Sequence, residues 1–389
     1  MRRAKTLPAL FFHANQTQRM KAIRFLPVLM LAAWGLRAQT PTVGWLKTIS
    51  QVSSQDELNF LSTDFWTDPA GRSFVACVFS ETIDLGQNIQ IEAPEGSTAI
   101  LVAAYAADGA LLWHRTINSL SKVAAIDDYV RITGDNSGNV FVSCSFPSPG
   151  LDFGNGVSLA SSCSDCEEIF VAKYSSGGLP QWAKALRAEN GATHESGGIA
   201  CDPAGNLYLS GTYGGSFMQI GNGVPINNLP GTGFFLAKLN PQADPIWARF
   251  LEPNSGPANC ETLCASPTGD VFVGGYYDSE TLRFSPTLAL ESFADGGYYF
   301  ARYDGNGNPI WAKNLHSPNY LDVLDIDADA QNRLYVVGDF SNALNSGTND
   351  LLVSETEYAA AVVRFDNTAT TVPQVVNYNE ENYPIMAVA

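Results

Sequence analysis

Trp45-Leu46-Lys47-Thr48-Ile49 has the form Trp-x-(Lys or Arg)-x-(Ile or Leu), and the chain writes that form five times. The other copies occupy residues 113–117, 182–186, 247–251 and 311–315, so their tryptophans, Trp113, Trp182, Trp247 and Trp311, follow Trp45 at steps of 68, 69, 65 and 64 residues. Self-similarity at a fixed period marks a repeat architecture. Trp, base and aliphatic alternate by two, so they share one face of a strand. On that face Trp supplies packing area while the basic stem lies over it and sends its charge to water.

Between the Trp segments lies a second motif, Asp-Pro-Ala-Gly-Asn-Leu-Tyr-Leu-Ser-Gly-Thr-Tyr at residues 202–213. Its relatives start at Asp68, Asp135, Ser266 and Asp329. Gly71, Gly138, Gly205 and Gly269, with Asn332 in the last copy, stand where a hairpin turn needs a positive φ. An aromatic column follows (Phe74, Phe141, Tyr208, Phe272, Tyr335), and a second one five residues later (Phe79, Phe146, Tyr213, Tyr277, Phe340). Between them one column admits only small residues, Cys77, Cys144, Gly211, Gly275 and Gly338, as close backbone approach requires. A third strand carries a basic column of Lys173, Lys238, Arg302 and Arg364, with Ala104 in the first copy.

Each repeat therefore holds four short strands: A before the turn, B after it, C, and D with Trp. No helical apolar period is sustained beyond the N-terminus. The expected fold is all-β: a five-bladed β-propeller with four antiparallel strands per blade, over residues 39–371. Blade repeats fall near 51–117, 118–186, 187–251, 252–315 and 316–366. The fifth set lacks a Trp strand after Phe365, and the surplus copy is at Trp45. Residues 44–50 are thus expected to pair with the last blade and close the ring, removing exposed edges. The alternative makes 372–378 a degenerate D strand, with 44–50 left alone in an incomplete six-bladed ring.

Residues 1–38 read as an N-terminal extension plus a signal peptide, with a start at Met20, an apolar run from Phe25 to Trp34 and cleavage after Ala38. That run is too short to span a bilayer comfortably. Residues 372–389 form a tail or the start of a missing segment. The formal charge is −17, and residues 1–38 contribute no acid, so the rest is more acidic still. Such a surface excludes nucleic-acid binding, which rests on neutralising phosphates. It fits a secreted or cell-surface protein, expected to be monomeric. Of the seven cysteines, Cys163 and Cys166 are expected to form a local disulfide, while Cys77 and Cys144 are buried structural residues.

No metalloprotease, nucleophile-elbow or phosphate-loop motif occurs. Asp325, Asp327 and Asp329 suggest a calcium loop, but Ala330 and Val336 stand where its Gly and bidentate Glu belong. The loop entering each A strand carries an acid: Asp56, Asp128, Glu195, Glu261 and Asp322. In a propeller these would ring the channel mouth. They read as solvated loop acids, or as a site for calcium or a basic ligand; no other cofactor is implied.

Three stretches resemble the SBBP-type β-propeller repeat of secreted Bacteroidota proteins: residues 202–211, Phe-Phe-Leu-Ala-Lys-Leu at 234–239 and Pro-Ile-Trp-Ala-Arg at 245–249. The resemblance spans about residues 44–366. It implies the propeller fold and an extracellular role, as in type IX secretion cargo, whose C-terminal sorting domain does not follow Phe365 here. It supplies no catalytic residues. The expected function is a secreted non-enzymatic module that binds an extracellular protein, glycan or surface component. The alternatives are a carbohydrate hydrolase or lyase using carboxylates at the channel mouth, and a cation-stabilised structural module.

Overall fold

The computed structural model describes residues 45–51, 60–86, 88–120, 129–147, 149–223, 225–251, 258–291, 293, 296–346, 349–353, 359–367 and 371–372. The readings made of residues 1–38 and of the tail beyond Val372 lie outside the described residues, as do Asp56 and Asp128. Every described element is a strand; no helix occurs among the described residues, and hence none long and apolar enough to cross a membrane.

The strands fall into five antiparallel units in A-B-C-D order. Unit 1 comprises Phe60–Thr67, Ser73–Ser80, Thr98–Tyr105 and Leu111–Ser119. Unit 2 comprises Arg131–Gly134, Val140–Pro147, Glu167–Tyr174 and Pro180–Arg187. In unit 3 the strands are His194–Cys201, Leu207–Ile220, Ile226–Leu239 and Pro245–Leu251. Unit 4 follows with Thr262–Ala265, Val271–Tyr277, Gly297–Tyr303 and Pro309–Leu315. Unit 5 has Leu321–Ala328, Leu334–Phe340, Ala359–Phe365 and the short Thr371–Val372. The B–C connections carry small hairpins, except in unit 3, where B and C simply run on to 14 residues each.

Units 2, 3 and 4 are each built around one cross-strand triplet. The B aromatic, the C base and the D tryptophan stand opposite one another, as in Phe141, Lys173 and Trp182, or Tyr208, Lys238 and Trp247. Cross-strand neighbours are the unit of sheet stabilisation. The base lies over the aromatic ring, Lys238 Nζ at 4.9 Å from Tyr208 and Lys173 Nζ at 5.0 Å from Phe141. Its charge then meets the acid of the A–B turn: Lys238 to Asp202 at 3.3 Å, Lys173 to Asp135 at 4.0 Å. Unit 1 has Ala104 in the basic column, and Arg72 of its own turn takes over, 2.6 Å from Asp68. Unit 4 has Ser266 for the turn acid, and Asp270 moves the charge four residues on to meet Arg302 Nε at 2.9 Å.

The turn acid also sets the hairpin. Asp202 Oδ1 accepts the amides of Ala204 at 3.0 Å and Asn206 at 2.9 Å, and Asn206 Nδ2 donates to Oδ2. Asp68, Asp135 and Asp329 accept turn amides in the same way. This is why the motif is Asp-x-x-Gly-Asn: the carboxylate staples the turn and Gly205 supplies φ +83°. Asp329 is thereby engaged by its turn and by Arg333, at 2.6 Å.

Among the described residues, 45–50 do not form the fourth strand of unit 5. The Ala359–Phe365 strand instead pairs with Thr371–Val372 through Arg364–Val372 and Phe365–Thr371. A local hairpin closes a short loop at low entropic cost, and the β-branched Thr371 and Val372 suit a strand. The Trp45 segment lies on unit 1. Trp45 Nε1 donates to Ala107 O at 3.0 Å, its ring stacks on Tyr105 with centroids 6.1 Å apart, and Ser50–Gln51 pairs with Thr82–Asp84. Trp113 does the same to unit 2, donating to Ser176 O at 3.1 Å and stacking on Tyr174, and Trp247 donates to Gly305 O in unit 4 at 3.1 Å. The segment thus makes the outward contacts of a D strand without the inward pairing.

Candidate functional site

The A strands pack against one another in chain order, unit 1 through unit 5. Arg131, in the A strand of unit 2, shows how closely they gather. Its Nε donates to Gly197 O of unit 3 at 3.0 Å, and its Nη2 reaches Glu261 O at the head of unit 4 at 3.5 Å. Asp64 of unit 1 accepts the Ile132 amide at 2.8 Å, and the Arg131 charge acts on it. One guanidinium therefore ties unit 2 to units 3 and 4, while the neighbouring Ile132 amide holds unit 1. The small-residue column explains the close approach. A Cβ on Gly211 or Gly338 would run into the carbonyl oxygen of Glu195 or Asp322, where the A strand bulges across its neighbour.

Of the acids read from the sequence, the structure brings Glu261 and Asp322 into one electrostatic group. Burial raises the Glu261 carboxyl, and the Asp322 charge adds to the rise against Asn259 and Arg131. Asn259 Nδ2 donates to Glu261 at 2.6 Å. Asp322 lies 3.5 Å from the hydroxyls of both Tyr298 and Tyr320. Glu195 stands apart: it is exposed and accepts from the Thr212 hydroxyl at 3.2 Å. Asp339 is a member that sequence reasoning missed. It stands directly opposite Asp322 in the ladder. Like charges so placed repel, and burial together with Asp322 pushes its carboxyl up to about 6. Two exposed rings border the group, Tyr129 and Tyr320, with the Arg131 guanidinium 5.7 Å from the Tyr129 ring centre.

The signal for Asp339 is present in the repeat. Its column otherwise holds Val78, Ser145, Thr212 and Tyr276, so a carboxylate there breaks the pattern. Arg131 and Tyr298 carry no comparable mark, because their meaning depends on which units face each other.

The Asp322–Asp339 pair has a pH consequence. The folded protein binds the Asp339 proton more tightly than the unfolded chain, whose value is 3.8. The stability this proton gives is full below about pH 4 and is lost as pH rises through about 6. The shift corresponds to about 3 kcal/mol; solvent screening of this half-exposed pair reduces it to roughly 1–2 kcal/mol. Asp339→Asn is expected to raise stability by that amount at pH 7 and to change it little at pH 4. Urea unfolding at the two pH values measures this, and a variant no more stable at pH 7 would refute the repulsion.

A second cluster lies at the junction of units 2 and 3. Cys163 and Cys166 form a disulfide. Their sulfurs and a Glu168 oxygen lie within 4.8 Å of one another, a spacing a metal could use. However, the sulfurs are joined, and both Glu168 oxygens already accept from Ser162, Arg187 and Ala188. Elsewhere a groove of about 470 Å³ is lined by Ile220, Ile226, Pro245, Ile246, Trp247 and Asp244, among others. Its carboxylate is spent on Lys184, at 2.7 Å, and its lining includes neither Glu261, Asp322, Asp339 nor Arg131.

Four-stranded antiparallel units, repeated five times and packed through their innermost strands, settle the architecture. The chain is a repeat protein of β-propeller type. No protein-family model matches it. An uncharacterized WD repeat-containing protein of Acanthamoeba polyphaga mimivirus is 23% identical over 284 residues, which is 63% of this chain. This chain spans only 19% of that relative's length. Among solved structures it is similar to an ulvan lyase, described as a new family of polysaccharide lyase, at TM-score 0.43 and 9% identity, over 80% of this chain and 68% of that one. The lyase bound to -[GlcA(1-4)Rha3S]- gives TM-score 0.41 and 8% identity, over 84% and 71%. At these scores neither likeness bears on function.

Proposed function

We propose that the protein is a secreted binding module whose axial mouth engages an extracellular glycan. The observation that carries this reading is the convergence of Glu261, Asp322, Asp339, Tyr298 and Arg131 from three different units, beside the exposed rings of Tyr129 and Tyr320. Carboxylates and a guanidinium match sugar hydroxyls in both hydrogen-bonding senses, and exposed aromatic faces give a sugar ring an apolar floor. Secretion, and membership of the SBBP-type repeats of Bacteroidota, rest on the leader-like residues 20–38 and the three repeat stretches quoted above. Five blades closing into a ring belong to the same proposal. They are supported by the reach of Arg131 across units and by the D-type docking of Trp45 on unit 1.

A polysaccharide panel tests the reading, with binding measured by calorimetry with and without calcium. Asp322→Asn and Tyr320→Ala are each expected to weaken the best glycan at least about tenfold, the loss of a charged hydrogen-bond acceptor or a stacking face. Equal binding by both variants, or no glycan bound by the parent protein, would overturn the proposal. A calcium requirement would instead point to cation ligation by the loop acids.

One observation favours a hydrolase or lyase as the second reading. Burial and the Asp322 charge push the Asp339 carboxyl up to about 6, and Asp339 stands directly opposite Asp322, so a carboxyl suited to proton donation sits beside a second one. Release of new sugar ends from the same panel, lost in Asp339→Asn, would distinguish catalysis from binding.

A further inference from the structure

The loop bearing the Cys163–Cys166 disulfide is clamped onto the connection that leads from the last strand of unit 2 to the first strand of unit 3. Gly191 N donates to Asp165 O, Glu167 N donates to Ala192 O at 3.1 Å, and Ser164 N donates to Asn190 Oδ1 at 3.2 Å. Glu167 and Thr193 form a parallel bridge. Beneath the loop, Glu168 is wholly buried. A buried carboxylate is tolerated only when paired and fully hydrogen-bonded, and the loop supplies half of what it needs. Ser162 gives both its hydroxyl and its amide, the amide at 3.2 Å, while Arg187 Nη1 at 3.0 Å and the Ala188 amide at 3.2 Å complete the shell. Ala188 begins the connection, and His194 ends it as the first residue of the unit 3 A strand, its ring fully enclosed and within the influence of the Glu168 charge. The next residue is Glu195, and Gly197 beyond it is gripped by Arg131.

We infer that Cys163–Cys166 is a redox latch on the junction of units 2 and 3. While the disulfide is closed, it fixes Ser162 over Glu168, and Glu168 fixes the 188–194 connection. The two sulfurs are partly exposed and can be reached by a dithiol. One thiolate of the dithiol attacks a sulfur and forms a mixed disulfide, releasing the other cysteine as a thiol. The second thiol of the reagent then closes its own disulfide. Two electrons and two protons pass to Cys163 and Cys166, and the dithiol is oxidised. The opened loop no longer pins Ser162, so Glu168 is left in a buried site with half its donors gone. The connection then opens locally, as a junction held by few contacts does. The bearing of this on ligand capture, through Glu195 and Gly197, rests on the axial-mouth reading; the latch itself does not.

Hydrogen exchange on the full chain tests the latch without any ligand. The proteins are the oxidised form, the same sample reduced with dithiothreitol, Cys163→Ser/Cys166→Ser, and Ser162→Ala, which keeps the disulfide. Reduction is expected to lower protection of the Ala188, Glu167 and Gly191 amides at least about tenfold, with reoxidation restoring it. The unit 4 amides of Asn259 and Glu261, bonded at 3.0 Å within their own sheet, should change less than twofold. Ser162→Ala should show part of the loss without reductant, and the double serine variant all of it, insensitive to dithiothreitol. Unchanged protection at Ala188 and Glu167 on reduction overturns the latch, as does an equal loss in unit 4. Should the double variant fail to fold, the reversible titration of the native disulfide decides alone. A latch confirmed in a protein that binds no glycan would leave the latch standing and the mouth reading refuted.

Discussion

Trp113→Ala is expected to destabilise the protein by about 3–5 kcal/mol, the range for removing a buried Trp. Trp113 is buried between Phe74 of its own unit, at 6.1 Å, and Tyr174 of the next, at 6.5 Å, and its Nε1 donates to Ser176 O. The loss therefore opens a cavity inside one unit and cuts its tie to the neighbour. Gly178 sits against the indole at φ +78°, where the turn cannot collapse to refill the space. Guanidinium unfolding reads the change, and a cost under about 1 kcal/mol would show that the repeated Trp is not an interface anchor. Trp45→Ala provides the comparison. Trp45 makes the same two contacts to unit 1 but pairs with no C strand among the described residues. If the ring closes through this segment, its loss should cost as much as a neighbouring Trp. If the segment is only a lid on unit 1, it should cost far less and lower the cooperativity of unit 1 alone.

Gly338→Ala is the second change with a large expected effect, on the order of 3 kcal/mol for overpacking against backbone. The added Cβ would overlap the Asp322 carbonyl oxygen and crowd Val323 Cα at 3.3 Å. Backbone cannot swing aside as a side chain can, so the A strand of unit 5 must shift. Asp322 and Asp339 flank that contact, so the same substitution should disturb the axial carboxylates and weaken whatever binds there. Thermal unfolding and glycan binding measured on one sample separate the two effects. A stable variant with normal binding would mean that the close approach is not needed.

The repeat was legible because its signals are local and redundant. Asp202, Gly205 and Asn206 define a turn within five residues, and the alternation of Phe, Lys and Trp columns defines strand faces without any tertiary input. The structure alone shows how the departures are made good: Arg72 stands in for the missing base beside Ala104, and Asp270 for the missing acid at Ser266. The site was legible only in part. Of the acids read at the entries to the A strands, Glu261 and Asp322 came together. Glu195 did not join them, because its side chain points to solvent beside Thr212. Asp339 was hidden in a B strand, where its role comes from the ladder register that sets it opposite Asp322.

The sequence by itself determined the strand order, the turn chemistry, the five-fold repeat and the acidic balance. Each of these depends on residues close along the chain or on composition. Only the tertiary structure decided which strand completes unit 5, that Arg131 spans units 2, 3 and 4, and that Glu168 lies buried beneath a disulfide loop. The reason is physical. The Arg131 contacts join residues 66 and 130 positions apart, and even closer partners, Glu168 with Arg187 and Asp322 with Asp339, meet only through the pairing and packing of whole strands. Local propensity fixes each strand but not the space between them.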